Sequence, residues 1–176
     1  MAKTKVSDEI FKMIRRYVDM VYFVPGGGAM HLVDSLGKID IRRCAMLSEY
    51  GASYAAVGHA MVRGFGVCLV TSGPGATNAY SGCGAAWVDS VPVLFLSGQA
   101  KRSSLIGDSG LRSRGVQELD IITGVWHITK LAHEAESGVD ALIYLEKMLS
   151  VAREGRPGPV WLSVPVDVSA ESVELP

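Results

Sequence analysis

The residues of this chain best suited to chemistry are one acidic side chain and two glycine-rich turns, each placed directly after an apolar run. Glu49 follows Met46-Leu47-Ser48, and the two turns are Pro25-Gly26-Gly27-Gly28 and Gly73-Pro74-Gly75-Ala76-Thr77-Asn78. A carboxylate at a strand end is either an exposed loop acid or a desolvated group that can exchange protons with a ligand. Glycines in this position let backbone amides approach a ligand closely, but ordinary tight turns use them as well.

Other familiar catalytic patterns do not occur in the sequence. Neither glycine turn is a dinucleotide fingerprint, because Asn78 stands where GxGxxG needs its last glycine, and there is no GxxxxGK[ST] phosphate loop. The four histidines are isolated, and Ser72 lacks the GxSxG elbow of a hydrolase. Cys44, Cys68 and Cys83 are too few and too far apart for a zinc site or a disulfide framework. We therefore expect buried reduced thiols and no metal site.

The composition is that of one ordinary folded domain. With 176 residues, 48% of them hydrophobic and 20% charged, and with 20 glycines, the chain is neither disordered nor a short peptide. Seventeen basic and eighteen acidic residues give a net charge of -1, so no basic surplus exists for nucleic acid or an anionic membrane. No secretory signal is recognisable, and no apolar run reaches the ~18 residues that span a bilayer. We expect a cytoplasmic protein without nucleic-acid or membrane partners.

Hydrophobic periodicity divides the chain into alternating strands and helices. Apolar runs predict about six strands, at 21–24, 42–47, 66–71, 91–96, 126–131 and 160–164. Spacings of three and four predict helices at 6–17, 29–36, 50–63, 74–87 and 139–153, and a short one from Gln117. Such alternation is typical of an α/β fold in which a parallel sheet is flanked by helices on both faces. The prediction is a single domain over residues 1–168, followed by a tail or linker at 169–176.

A long polar loop interrupts this rhythm between Lys101 and Val116. It contains Gly107-Asp108-Ser109-Gly110 and three arginines. Loops of this length are uncommon in compact domains unless they serve a function. We therefore expect this loop to contribute to a functional site.

A series of short stretches carries a more specific signal. In order they are Pro25-Gly26-Gly27, Ser48-Glu49-Tyr50-Gly51-Ala52, Val70-Thr71-Ser72-Gly73-Pro74-Gly75-Ala76-Thr77-Asn78, Asp89-Ser90-Val91-Pro92, Leu96-Ser97-Gly98-Gln99, Gln117-Glu118-Leu119-Asp120, Gly155-Arg156-Pro157-Gly158-Pro159-Val160 and Val164-Pro165-Val166-Asp167-Val168. In this order and spacing they resemble the N-terminal pyrimidine-binding (PYR) domain of acetolactate synthase and its thiamine-diphosphate-dependent relatives. The resemblance covers nearly the whole chain.

The resemblance implies a cofactor, thiamine diphosphate, and a role for Glu49. In that family the corresponding glutamate hydrogen-bonds N1′ of the cofactor's aminopyrimidine and favours the imino tautomer, whose nitrogen removes the thiazolium C2 proton. The resemblance also carries roles to two sets of residues, the cofactor contacts Pro25, Gly26, Gly27, Thr71, Pro74 and Asn78 and the substrate-side residues Gln99 and Gln117. It implies that Mg²⁺ is held by a partner domain outside this chain.

The expected function is that of the pyrimidine-binding subunit, or N-terminal part, of an acetolactate synthase-like enzyme. Such an enzyme decarboxylates a 2-oxo acid and performs carboligation. Because the family places its cofactor between two domains, this chain supplies half a site and needs a diphosphate-binding (PP) subunit, in a homodimer or an α₂β₂ complex.

Departures from the family and a rival hypothesis also follow from the sequence. The usual His-Glu-Gln reads here Ser48-Glu49-Tyr50, and Phe-Gln-Glu reads Val116-Gln117-Glu118. These changes predict a substrate pocket that is larger than a pyruvate site or differently polar. The alternative is a catalytically silent regulatory module that pairs with a full-length homologue, and a nucleotide-binding α/β domain is a more distant third possibility.

Overall fold

Six parallel strands form the central sheet of the protein in the computed structural model, which describes residues 3–174. Together with two strands outside this sheet, the strands in chain order are β1 (Lys3–Lys5), β2 (Met20–Phe23), β3 (Arg42–Ala45), β4 (Gly66–Val70), β5 (Val93–Gln99), β6 (Leu131–Glu134), β7 (Val160–Pro165) and β8 (Ser172–Glu174). The sheet has the order β3-β2-β4-β5-β7-β6, while β1 and β8 form a separate antiparallel ribbon. From β2 the chain continues to β3 on one side, whereas β4 lies on the other side of β2. The topological switch point of the sheet is therefore between β2 and β4, and α/β proteins bind ligands at such a point.

Helices cover both faces of this sheet. They are α1 (Val6–Ile14), α2 (Met30–Lys38), α3 (Glu49–Arg63), α4 (Pro74–Asn78), α5 (Tyr80–Val88), α6 (Ile121–Val125), α7 (Gly138–Val151) and α8 (Val166–Ala170). One core lies between the sheet and helices α1, α2, α7 and α8, and a second lies between the sheet and helices α3 to α6. Leu69 faces the first core while its neighbours Cys68 and Val70 face the second, as the alternation along a strand requires. The predicted fold class is confirmed.

Small residues let helices α3 and α5 lie close to each other and to the sheet. Ala52, Ala56 and Ala60 of α3 are buried. A Cβ atom on Gly82 of α5 would lie 2.5 Å from Cβ of Ser53, so only glycine fits there. Trp161 of β7 is buried in the same core, where its ring stacks on Phe95 with centroids 5.1 Å apart.

The structure differs from the predicted elements in three places. The helix predicted at 74–87 is broken at Ala79 into α4 and α5. The helix predicted from Gln117 begins at Ile121, because Asp120 caps it by accepting a hydrogen bond from the amide of Thr123. The strand predicted at 126–131 is a 3₁₀ turn, Trp126–Ile128, followed by β6. A short apolar run does not distinguish a strand from a helical turn.

The segment after Pro165 also differs from the expected irregular tail. It forms α8 and then β8, whose residues pair with β1, and Val173 is buried. The guanidinium of Arg102 ties α8 to the polar loop through hydrogen bonds to Asp167 (2.8 Å) and Glu171 (2.5 Å). Residues 169–174 therefore lie against the domain, and residues 175–176 of the expected tail lie outside the described residues. A domain boundary at 168 stays a prediction.

None of the helices within residues 3–174 combines the length and the apolar character needed to cross a bilayer.

The approach of the first glycine turn to β5 generates a prediction about stability. A Cβ atom on Gly98 would lie 2.1 Å from the carbonyl oxygen of Gly28, so Gly98→Ala must displace backbone. We expect a loss of about 3 kcal/mol in the free energy of unfolding, measured by urea denaturation. As the matched control, a Cβ atom on Gly58 in α3 meets nothing within 4 Å, and Gly58→Ala should gain about 0.5 kcal/mol. A Gly98→Ala protein as stable as the wild type would contradict the packing described.

The three thiols should differ in reactivity. Burial raises the pKa of the Cys68 and Cys83 thiols, whereas Cys44 is half-buried and departs from the expectation that all three are buried. At about pH 8 the two buried groups stay protonated, and the thiolate is the reactive form. We expect a thiol reagent to label Cys44 alone in the native protein and all three cysteines in denaturant. Native labelling of Cys68 at the rate of Cys44 would show that this core opens.

Candidate active site

Two glycine turns meet at the carboxyl ends of β2 and β4 and form a glycine cradle, which comprises residues 26–28 and 71–75. The backbone amide of Gly28 donates a hydrogen bond to Thr71 Oγ1 at 3.1 Å. A Cβ atom on Gly26 would lie 2.5 Å from Cβ of Thr71, and one on Gly28 would lie 2.5 Å from Ser72 Oγ. The turns therefore touch because glycine occupies these positions.

Glu49 lies beside this cradle as the first residue of α3. Ser48 caps the helix by accepting a hydrogen bond from the amide of Gly51 at 3.1 Å, which fixes the start of the helix. The amide of Asn78 donates to Glu49 Oε2 at 3.1 Å. Glu49 Oε1 lies 3.3 Å from the position that a Cβ atom on Gly75 would take. One carboxylate oxygen is thus held by the protein, and the other lies along the cradle where a ligand could donate a hydrogen bond to it.

The exposure of Glu49 falls between the two alternatives that the sequence left open. The side chain is half-buried, and its partner Asn78 is exposed. Glu49 is therefore neither a free loop acid nor a fully desolvated carboxylate within this chain.

A pocket of about 340 Å³, which we call the side pocket, lies on the other side of the β4–α4 turn. Ser72 and Gly28 form part of its wall, together with Gln99 and Gln117. The two glutamines that the resemblance places on the substrate side therefore border one cavity. Cavities of about 400 Å³ elsewhere, such as the one beside Trp87 and Arg156, contain none of the expected site residues.

The backbone of Gln117 adopts the left-handed conformation, with φ of 53°, which is rare for a side chain of this size. It packs against Gly73, whose own φ is 52° and on which a Cβ atom would lie 2.1 Å from the carbonyl oxygen of Gln117. Strained residues of this kind persist where the surrounding contacts hold them, often at functional sites. The side chain of Gln117 is exposed at the mouth of the side pocket.

Glu118 holds the polar loop next to Gln117. Its carboxylate accepts hydrogen bonds from the backbone amides of Arg114 (2.9 Å), Gly115 (2.8 Å) and Ile106. Although burial raises the pKa of Glu118, these backbone donors together bring it below its ordinary value. The loop that the sequence marked as functional is therefore ordered around one carboxylate.

Gln99 lines the side pocket and also joins three parts of the domain, while its role toward a substrate stays a prediction. Its buried amide donates to the carbonyl oxygen of Leu119 at 2.9 Å and to Glu134 Oε2 at 3.0 Å, and its oxygen accepts from the amide of Ala100. These bonds attach the segment carrying Gln117 to the sheet. Glu134 is a contributor that the sequence analysis missed, since only its place at the end of β6 could have indicated it.

The remaining expected contacts lie at the surface of the same region. Pro25 and Pro74 are exposed, and Pro74 occupies the first turn of α4. A Cβ atom on Gly27 would meet nothing within 4 Å, so packing inside this chain does not require glycine there. Within residues 3–174 no three acidic, histidine or cysteine side chains are grouped as metal ligands. The structure thus brings together Gly26, Glu49, Thr71 and Asn78, whose roles toward a ligand stay predictions.

The bond between the two turns can be tested by Thr71→Val. The substitution keeps the shape of the side chain but leaves the Gly28 amide without its acceptor, which costs about 1–2 kcal/mol. We expect lower stability in urea and faster hydrogen exchange at the Gly28 amide. Thr123→Val on the exposed face of α6 is the control and should change stability by less than about 0.5 kcal/mol. Unchanged exchange at Gly28 would show that this bond is not formed in solution.

Comparison with known proteins identifies the family to which this cradle belongs. Residues 4–123 match the family described as "Thiamine pyrophosphate enzyme, N-terminal TPP binding domain", thiamine pyrophosphate being another name for thiamine diphosphate. The match includes both glycine turns, Glu49, Asn78 and Gln117.

Curated relatives extend this likeness to most of the chain. Acetolactate synthase of Arthrospira platensis is 35% identical over 167 residues, which are 92% of this chain and 28% of the relative. Acetolactate synthase 2, chloroplastic, of Nicotiana tabacum is 36% identical over 172 residues, 96% of this chain and 25% of the relative. The acetolactate synthase large subunit of Lactococcus lactis is 35% identical over 158 residues, which are 89% of this chain and 26% of the relative. This chain spans about a quarter of their length, and it belongs to the thiamine pyrophosphate enzymes, of which it carries the N-terminal cofactor-binding domain.

Proposed function

We propose that this chain supplies the aminopyrimidine-binding half of a thiamine diphosphate site in an acetolactate synthase-like enzyme. That enzyme decarboxylates a 2-oxo acid and joins the product to a second carbonyl compound. The observation that carries the proposal is the position of Glu49, whose carboxylate is held by Asn78 and lies against the glycine cradle. Family membership supports the choice of cofactor.

The cradle fits a flat heteroaromatic ring. Cβ atoms on Gly26 and Gly75 would lie within 2.6 Å of Thr71 side-chain atoms, so glycine is needed for the backbone to pack this closely beside Glu49. Glycine at such positions allows the backbone to approach a ring closely. Glu49 would supply the hydrogen-bond acceptor that a ring nitrogen needs.

The residues of this chain would bind, orient and exchange a proton. Glu49 Oε1 would accept a hydrogen bond from a ring nitrogen of the cofactor and share a proton with it, while Asn78 holds the carboxylate through Oε2. The held orientation avoids a loss of side-chain freedom when the ligand binds. When bound, the cofactor supplies the stabilised carbanion and the electron sink that decarboxylation requires.

An apolar surface beside Glu49 favours a partner domain. Leu47 is fully exposed, and Tyr50 and Tyr54 on the same side of α3 are 55% and 41% exposed, with ring centroids 4.8 Å apart. Between Tyr50 and Gly58 helix α3 carries no charged residue. Exposed aromatic patches of this kind are typical of interaction surfaces. We propose that a diphosphate-binding domain, which holds Mg²⁺, docks here in a homodimer or an α₂β₂ complex, in the cytoplasm.

The alternative is a catalytically silent module that pairs with a full-length homologue. The observation that favours it is the exposed apolar surface of Leu47, Tyr50 and Tyr54, which pairing alone would explain. The two functions differ in what they require of Glu49. A silent module needs only the apolar surface, whereas an enzyme needs the carboxylate.

Glu49→Gln separates the two. The substitution keeps the size of the side chain and its ability to form hydrogen bonds, but it replaces the carboxylate that shares the proton by an amide. We therefore expect turnover to fall by about 10²–10⁴-fold. The measurement is 2-oxo acid decarboxylation by the complex of this chain with its diphosphate-binding partner, both purified from the native source. Glu146→Gln, on the exposed surface of α7, is the matched control and should leave the rate unchanged.

Partner binding and thermal stability should be the same in both variants. Equal turnover by the wild type and Glu49→Gln would refute the catalytic role. A complex that forms but has no thiamine-diphosphate-dependent activity in the wild type would establish the silent module.

A further inference from the structure

The side pocket is lined by one charged residue, Lys101, to which the proposed cofactor site gives no role. Within residues 3–174 the ammonium group of Lys101 has no hydrogen-bond or ion-pair partner. The backbone of Lys101 is fixed, since its carbonyl accepts from the amide of Ser104 at 2.8 Å. The wall of the pocket therefore carries one exposed cation, whose backbone is fixed and whose charge has no counter-charge within residues 3–174.

The neighbouring cation shows the contrast. Arg102 binds Asp167 through both its backbone amide (3.0 Å) and its guanidinium (2.8 Å), and it also binds Glu171 and the carbonyl oxygen of Glu136. The carboxylates close to this part of the loop are thus taken by Arg102. The carboxylate of Glu118 is occupied by backbone amides. Lys101 is left to attract an anion from outside the chain.

The rest of the pocket combines two kinds of surface. Polar groups come from Ser104 and Gln117, whereas Met30, Val116 and Val166 supply an apolar wall. Met30 and Val116 are 53% and 86% exposed, so a ligand could cover them and gain from their burial. The volume of about 340 Å³ lies at the lower end of the range for small-molecule sites.

The pocket also adjoins the glycine cradle, the site of the proposed reaction. Ser72 lines it, and the preceding residue, Thr71, lies against Gly75 next to Glu49. The side pocket and the carboxylate therefore flank the same short turn.

We infer that the side pocket binds a 2-oxo monocarboxylic acid with an apolar side chain longer than that of pyruvate, whose carboxylate pairs with Lys101 and whose side chain covers Met30, Val116 and Val166. This inference rests on the proposed function, of which it names the substrate class. A dicarboxylic acid fits less well because its second carboxylate would face the apolar wall without a partner.

The test is a titration of the full 176-residue chain, labelled with ¹⁵N, with 4-methyl-2-oxopentanoate as the probe and with pyruvate and 2-oxoglutarate as comparisons. We expect amide shifts at Ser72, Ser104 and Gln117, with 4-methyl-2-oxopentanoate binding more tightly than either comparison. Lys101→Met should weaken binding by about tenfold, equivalent to about 1.4 kcal/mol. Lys101→Arg keeps the charge and should restore most of the affinity, and Lys147→Met on α7 should have no effect.

Three results would overturn the inference: equal affinity of the wild type and Lys101→Met, equal or tighter binding of 2-oxoglutarate, or no shifts with any of the acids. A parallel titration with thiamine diphosphate and Mg²⁺ on the complex of the labelled chain with its diphosphate-binding partner, with the wild type and with Glu49→Gln, separates this failure from failure of the proposed function. Shifts with the acid but none with the cofactor would sustain the pocket and refute the cofactor site. Shifts with the cofactor but none with the acids would sustain the cofactor site and refute the side pocket.

Discussion

The close approach of three backbone segments at the carboxyl ends of β2, β4 and β5 sets the geometry of this protein. A side chain at Gly98 would meet the carbonyl group of Gly28, and one at Gly26 would meet Thr71. Removing these Cβ atoms lets the first glycine turn lie directly on the sheet edge, where its amide reaches Thr71. Because Glu49 is placed against the same cradle, the position of the carboxylate follows from backbone packing and helix capping together. Side-chain hydrogen bonds then adjust it.

Carboxylates order the irregular parts of the fold. A long polar loop has many backbone amides that regular structure does not satisfy, and leaving buried ones unpaired is costly. Glu118 accepts three of them, while Asp167 binds the backbone and the side chain of Arg102. Through Arg102 the loop is attached to α8, so the loop and the carboxyl-terminal helix form one wall of the side pocket. Lys101, which lines the side pocket, has no counter-charge within residues 3–174.

Local patterns account for what could be predicted from the sequence, and nonlocal contacts account for what could not. Strands buried on both faces gave continuous apolar runs, so the parallel sheet and its helices were predictable, as was the placement of both glycine turns after strands. The pairing of Gln99 with Glu134 joins residues 35 positions apart and left no local trace. The left-handed conformation of Gln117 depends on Gly73 in a distant turn. The polar segment after Pro165 acquires its order from Arg102 and β1, which its own composition does not reveal.

The ribbon of β1 and β8 pairs Lys3 with Glu174 and so closes nearly the whole described chain into one loop. The entropy of closing a loop grows only with the logarithm of its length, and each doubling adds about 0.6 kcal/mol. The loop closed by β1 and β8 contains nearly all of the described residues. A few additional residues between β5 and α6 would lengthen it by a small fraction and so change its closure entropy very little. The entropy of this closure therefore places little constraint on the length of the segment around Lys101.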